Sequence, residues 1–299
     1  MGFLAGADLL AAEYFKGMDA KKLNISLAQW SLHRALEKKE IDPEDFAGIT
    51  RDRYQIEAVE YVNAFYEKHG NDQKFWNRMN NRAMEAGVKN LLIMVDHEGD
   101  LGDPQESKRK KAVENHYKWV DAARIMNCHS IRVNAFGTGD RQTLKNALTD
   151  GLGLLASYGR QQGIHILIEN HGLHTSDARF ITDIIREVAN PYLGTLPDFG
   201  NWCLNTEWGS TQGGRCKEVF DPYLGLELML PFAKGISAKS YDFDPQGSET
   251  SLDYSRLLNM VKSSEFKGFI GIEYEGNALS EDEGIKATKK LIEKVWAAL

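Results

Sequence analysis

The 299-residue sequence predicts a single (β/α)8 TIM barrel, and three observations carry that expectation. Short apolar runs alternate with amphipathic stretches at intervals of roughly 30 to 40 residues, the period of a strand plus its returning helix. No Pro/Gly/Ser-rich linker separates one block of pairs from the next. The alternative, a doubly wound open sheet, needs Gly-x-Gly-x-x-Gly after strand one, but that strand runs into Gln29-Trp-Ser-Leu-His33.

The expected strands are 25–29, 58–62, 91–95, 130–134, 164–169, 194–198, 235–239 and 269–273. Helices between and after them open on capping and turn residues: Asp42-Pro43, Asn71-Asp, Asp103-Pro104, Asp140-Arg, Ser176-Asp, Asp221-Pro222, Thr250-Ser-Leu-Asp and Ser280-Glu. Their apolar residues recur at helical spacing, as in Val113, Tyr117 and Val120, or Ala287, Leu291 and Val295. Residues 1–22 are expected to add a short helical extension at the bottom or side of the barrel, which itself occupies 23–299.

Composition excludes some functions. With 42% hydrophobic and 26% charged residues, the chain can bury an ordinary globular core. A net charge of -7, from 36 basic against 43 acidic residues, speaks against nonspecific nucleic-acid binding. No apolar run approaches the roughly 18 residues of a membrane span. The stretch Phe3-Leu-Ala-Gly-Ala7, broken by Asp8, is not an intact export signal, although it could be what is left of one. Cys203 and Cys216 flank a Gly-rich loop and could pair if the protein were exported. Two free thiols in a reducing compartment is an equal reading, so the location stays open between cytoplasm and periplasm.

Three carboxylates end apolar runs: Glu169 in Ile166-Leu-Ile-Glu169, Asp198 in Leu196-Pro-Asp198, and Glu273 in Ile270-Gly-Ile-Glu273. Strand ends of a parallel barrel line the mouth where ligands bind, so acids there point to chemistry. Taken singly, each is more often a salt-bridged acid; together they call for a cation. Three hard oxygen ligands suit Mn, Mg or Co. Period-two alternation sends Arg132 with Asn134, Glu169 with His171, Ser237 with Lys239, and Glu273 with Glu275 toward one opening. Trp30, Tyr61, Phe65, Phe199, Trp202, Tyr241 and Phe243 follow or end strands and could face a sugar ring, although packing under loops is the commoner fate of such residues. The acidic turn Asp96-His-Glu98 could hydrogen-bond hydroxyls or simply be solvated.

On Ile166-Leu-Ile-Glu-Asn-His171, Leu196-Pro-Asp-Phe-Gly-Asn201, Gly235-Ile-Ser-Ala-Lys-Ser240 and Gly271-Ile-Glu-Tyr-Glu-Gly276, the chain resembles the sugar phosphate isomerase/epimerase family of xylose isomerase-like TIM barrels, over about residues 24–296. The resemblance implies that Glu169 and Glu273 both bind a metal and exchange a proton with a sugar carbon, and that Asp198 is a ligand. It also exposes departures. The family's histidine two residues before the strand-seven lysine is Ser237 here, and the one three positions after the aspartate is Asn201. Lys239 is then a candidate electrophile that takes over part of a cation's role.

The implied activity is a sugar isomerase or epimerase transferring a proton next to a carbonyl, with Glu169, Glu273 and Lys239 catalytic. Arg132, Asn134, His171, Asn201, Trp202 and Trp30 are the expected substrate contacts. A neutral sugar or glycoside is the expected partner, since mouth cations are few and there is no phosphate loop. Neither nucleic acid nor membrane is expected, and a homo-oligomer is possible. The alternatives are a lyase acting by β-elimination on a 3-keto-glycoside and a non-catalytic sugar-binding barrel. An endonuclease IV type role ranks last, because it needs a histidine-rich zinc site and a basic surface.

Overall fold

The structure, a computed structural model, describes residues 18–299. Most of the expected N-terminal extension thus lies outside the described residues. Residues Asp19 to Lys22 form a turn, and Met18 packs under Ala58, Leu91 and Phe269 at the barrel's lower end.

Eight parallel strands follow: β1 Ile25–Ala28, β2 Ala58–Val62, β3 Lys89–Val95, β4 Ser130–Val133, β5 His165–Glu169, β6 Leu193–Leu196, β7 Ile236–Ser240 and β8 Ile270–Tyr274. Each lies within two residues of its expected bounds. The ladder order is β6-β5-β4-β3-β2-β1-β8-β7. The seam between β6 and β7 is joined by shorter contacts: Lys234 N–H to Thr195 O at 3.1 Å, Ser237 N–H to Pro197 O at 3.0 Å and Phe199 N–H to Ser237 O at 3.0 Å. The barrel therefore closes beside Asp198 and Ser237.

The outer helices are α1 Phe46–Tyr54, α2 Gln73–Glu85, α3 Glu106–Ile125, α4 Arg141–Gln162, α5 Ala178–Val188, α6 Pro222–Met229, α7 Tyr254–Ser263 and α8 Glu281–Ala298. Asp72, Asp140, Asp177, Asp221 and Asp253 cap helix amides through their carboxylates, and Ser280 forms a capping box with Glu283. Each such cap contributes about 1 kcal/mol. The start expected at Asp103 moves inward, because Asp103 instead holds the Gln105 amide at 2.7 Å in a turn and α3 begins at Glu106.

Two apolar layers result. The larger lies between strands and helices and includes Phe46, Trp119, Leu148, Ile184 and Ile292. The smaller fills the barrel interior with Ala28, Val62, Leu92, Met94, Leu167 and Leu196. Alternation along each strand is what separates them, one set of side chains facing the helices and the other the axis. No described helix is long and apolar enough to cross a membrane.

Two histidines at the foot of β4 and β5 give the fold an acid limit. Burial is the main cause holding His129 down to about 3 and His165 to about 4, against an ordinary 6.5, so both are neutral in the folded chain. Their stabilising contribution is complete above pH 6.5 and is lost as pH falls toward those values, because the unfolded chain takes up the protons. Thermal denaturation between pH 7 and pH 5 should show a falling midpoint, with about two protons taken up per unfolding event near pH 5 from this pair. A midpoint independent of pH across that interval would refute the assignment.

Candidate functional site

The strand ends deliver the three carboxylates to one point. Glu169 ends β5, Glu273 lies one residue from the end of β8, and Asp198 follows β6 by two residues. One oxygen from each lies within 4.8 Å of the other two, and all three residues are buried. Lys239 is opposite Glu273 in the β7–β8 register. Its ammonium stands 3.0 Å from Glu273 Oε1 and 3.3 Å from Glu275 Oε1. Arg132, on β4, reaches Glu169 Oε2 through Nε at 2.8 Å and Asp96 Oδ1 through an Nη at 2.5 Å.

The contact between Arg132 and Glu169 is an ion pair without an aligned hydrogen bond. Among the described residues, neither Arg132 Nε nor Glu169 Oε2 has a hydrogen-bond partner. Asp198 is more fully held: Oδ1 accepts from the amides of Gly200 at 2.7 Å and Asn201 at 2.8 Å, and Oδ2 accepts from the Ser237 hydroxyl at 2.5 Å. That hydroxyl also stands 3.3 Å from Glu273 Oε2. Ser237, where the resemblance expects a histidine, thus ties two of the carboxylates together at the barrel seam.

The charge balance is uneven. Two cations serve the five carboxylates Asp96, Glu169, Asp198, Glu273 and Glu275. Burial pushes Glu169 well above the usual carboxylate range; Arg132 and Lys239 pull it back, while Glu273 and Asp198 add to the rise. Burial also takes Asp198 up to about 7, against the pull of Lys239 and with Glu273 raising it further. Lys239 is held well above its ordinary value, since Glu273, Glu275 and Asp198 outweigh the cost of burying it. Desolvation of Asp96 is likewise outweighed by the Arg132 charge and by hydrogen bonds from Arg132 and Asn134, and it stays low. A divalent ion would relieve this excess of negative charge.

The donors fit such an ion. Ligand oxygens about 3 to 4 Å apart surround a six-coordinate cation with bonds near 2.1 Å, and Glu169 Oε2 accepts no aligned hydrogen bond, meeting only the Arg132 ion pair. The residues that would hold the ion are Glu169, Asp198 and Glu273. The set is oxygen-only and hard, which favours Mg or Mn over a softer ion.

The remaining expected residues divide. Trp30, Arg132, His171, Lys239 and Glu273 line one cavity of about 620 Å³ at the mouth. His171 is neutral, because burial and the Arg132 and Lys239 cations hold it well below its ordinary value despite Asp96. Its Nδ1 lies 2.7 Å from Asn134 Oδ1, and Asn134 Nδ2 donates to Asp96 at 2.6 Å. Those contacts fix Nδ1 as the protonated nitrogen and leave Nε2 as an acceptor.

Asn201 and Trp202 do not line that cavity. The Asp198 turn draws the chain back from the mouth, so Asn201 is fully buried with Nδ2 3.4 Å from Glu169 Oε1. It steadies that carboxylate from behind. Trp202 packs with Ala178, Phe220 and Met229 and donates to Phe199 O at 3.1 Å. Tyr61 and Phe199 likewise belong to the core. In the acidic turn, Asp96 holds Arg132 and Asn134, whereas Glu98 is taken up by Trp119 at 2.6 Å and Lys118 at 2.7 Å.

Three features were missed or left open in the sequence. Cys203 and Cys216 form a disulfide. It closes the loop that carries Trp208, a residue 40% exposed and held at φ 64°. The loop rests on the backbone of Gly172, where a Cβ would meet Thr206 O at 2.3 Å. Trp208 packs edge-on to His171 at 4.9 Å and to His97 at 5.6 Å, which brings it over the mouth. Its signal was an aromatic residue just before a glycine in a loop bracketed by cysteines.

Glu60 is the third. It is buried inside the barrel on β2, accepts from Ser26 Oγ at 2.6 Å, and has no hydrogen-bond partner for Oε2 among the described residues. Space for it exists because β8 carries Gly271, where a Cβ would lie 2.5 Å from Glu60 Oε1. A hollow of about 780 Å³ near Leu230, Lys234 and Phe266 lies at the opposite, N-terminal ends of the strands, away from the carboxylates.

Burial raises Glu60 from 4.5 to about 7, with Glu273 adding to the rise and Ser26 and Arg132 opposing it. A raised carboxyl favours folding fully below pH 4.5, and that contribution is lost as pH climbs through 7. Glu60→Gln should therefore stabilise the protein at pH 8.5 by up to about 3 kcal/mol and change little at pH 5. Chemical denaturation at both pH values checks this; an equal effect at both would show that titration is not the cause.

The sequence matches the family model described as xylose isomerase-like TIM barrel over residues 53–295. A comparison with curated proteins finds no match. Among solved structures, the fold is similar to that of an L-ribulose 3-epimerase, with a TM-score of 0.68 and 10% identity over 93% of this chain and 95% of that one. It is also similar to the probable 3-DHS dehydratase AsbF of Bacillus anthracis, at 0.65 and 16% over 91% and 99%. A third is a xylose isomerase-like TIM barrel protein from Mycobacterium smegmatis in complex with magnesium, at 0.65 and 13% over 93% and 97%.

Proposed function

Because this chain belongs to the xylose isomerase-like TIM barrel family, we propose that it is a metal-assisted sugar isomerase or epimerase, moving a proton at a carbon next to a carbonyl of a neutral sugar or glycoside. The observation that carries the reading is the meeting of Glu169, Asp198 and Glu273 within 4.8 Å in a buried mouth that also holds Arg132 and Lys239. Its fold likeness to an epimerase and to a magnesium-bound relative supports it.

Each residue has a task. Glu169, whose affinity for a proton burial raises, accepts the proton from carbon in its ionised form. Glu273, 3.0 Å from the Lys239 ammonium, delivers a solvent-derived proton to the opposite face of that carbon, and Glu169 gives up the abstracted proton to solvent. Arg132 and Lys239 place fixed positive charge where the enediolate oxygens develop negative charge. His171 presents Nε2 to a substrate hydroxyl. Asp198 holds its orientation through the Gly200 and Asn201 amides and Ser237. A divalent ion held by Glu169, Asp198 and Glu273 supplies Lewis-acid polarisation of the substrate oxygens. With a leaving group at the next carbon, the same residues would carry out β-elimination, and the fold likeness to a dehydratase favours keeping that outcome in view.

Proton NMR in D2O with candidate ketoses and 3-keto sugars should show solvent deuterium entering one sugar carbon, and the product separates epimerisation from elimination. Glu169→Gln and Glu273→Gln should each slow this at least about 10²-fold with the fold intact. Full activity in both variants would end the reading, and tight sugar binding without exchange would favour a binding protein. Manganese or magnesium should also raise the melting temperature of the chain but not of Asp198→Asn, measured by calorimetry; an equal shift in both would remove Asp198 from the ligand set.

A further inference from the structure

The mouth cavity is two-sided. On the β4–β8 side it is charged, lined by Arg132, Lys239 and Glu273. On the β1–β3 side Trp30, Val62, Ala64, Phe65 and Met94 line it, together with the polar Glu37, Asp96 and His97. Val62 and Met94 belong to the apolar layer of the barrel interior, and Trp30 and Phe65 pack against that same layer. The core thus reaches the surface on one side of the mouth.

The aromatic residues of this wall are held. Trp30 Nε1 donates to Glu275 Oε1 at 2.7 Å, and the ring stacks on His33 at 4.8 Å. Phe65 lies 6.3 Å from Trp30, tilted by 31°. Trp208 lines the same cavity from its disulfide-closed loop, in a left-handed backbone conformation that a tryptophan seldom adopts. An exposed aromatic fixed at the cost of backbone strain is expected where a ligand meets it.

A single sugar ring satisfies the charged side and leaves the apolar side wet. The volume of about 620 Å³ falls well inside the roughly 300 to 1,000 Å³ of pockets that enclose drug-sized ligands. A second sugar ring would set hydroxyls against Val62, Ala64 and Met94, which offer no hydrogen-bonding side chain; Glu37, Asp96 and His97 could meet only some of them, Asp96 being already engaged by Arg132 and Asn134, and desolvating the rest would be unfavourable. A flat apolar group meets no such cost and gains the ring contacts of Trp30, Phe65 and Trp208.

We propose that the substrate class is a sugar carrying a flat apolar substituent, such as an aryl glycoside, with the aglycone between the Trp30 and Phe65 wall and Trp208. This rests on the reading that the sugar lies at Glu169 and Glu273, and it goes beyond it by assigning the other half of the cavity.

Calorimetry on the metal-loaded protein, with methyl, phenyl and 2-naphthyl β-D-glucopyranosides and their 3-keto forms as probes, tests the class. Affinity should rise from methyl to naphthyl by roughly tenfold or more. Phe65→Ala and Trp208→Ala should each reduce that ratio severalfold while leaving methyl glycoside affinity within about twofold; the exposure of Trp208 makes its variant safe for folding. Equal affinity for methyl and naphthyl glycosides, or an unchanged ratio in both variants, overturns the proposal. A preserved aryl preference without deuterium entering any sugar supports the assignment of this wall and removes only the proton-transfer reading.

Discussion

The constraint on which the site depends is the placement of more buried acid than base at the open end of a closed barrel. Five carboxylates share Arg132 and Lys239, in surroundings where an unpaired charge costs several kcal/mol. The barrel tolerates this because the groups come from different strands, each stiffened by its neighbours. Register places Lys239 beside Glu273, and the seam hydrogen bonds bring Ser237 to Asp198. Excess negative charge left over from such an arrangement is a stored preference for a cation, for protons, or for both.

The same constraint gives Ser237 a meaning that its departure from the family pattern alone does not convey. A serine there forfeits an imidazole ligand, yet its hydroxyl links Asp198 and Glu273 across the β6–β7 junction, where the ladder is shortest. Closure of the barrel and geometry of the acids are therefore parts of one local structure. Lys239, two residues on, shares that strand and adds the positive charge.

Much of this was legible in the sequence because barrels expose their period. Strand spacing located all eight strands, and apolar runs ending in acids located Glu169, Asp198 and Glu273. Alternation of side chains placed Arg132, His171 and Lys239 in the mouth. It failed at Trp202 and Asn201, because alternation stops where the strand stops: the Asp198 carboxylate captures two amides and turns the chain inward. Trp208 was hidden, and the Cys203–Cys216 pairing left open, for a related reason. Their positions are set by a long loop resting on Gly172, and loops carry no period from which to infer direction. Glu60 was masked by lying among apolar neighbours in a strand whose interior face the sequence does not distinguish from its outer one.

Gly271 and Glu60 make a pair whose replacements are tied. A methyl group at 271 would stand 2.5 Å from Glu60 Oε1, so a side chain on β8 requires the buried carboxylate on β2 to move aside or be shortened. The interior of this barrel thus couples the replacements open to β8 with those open to β2.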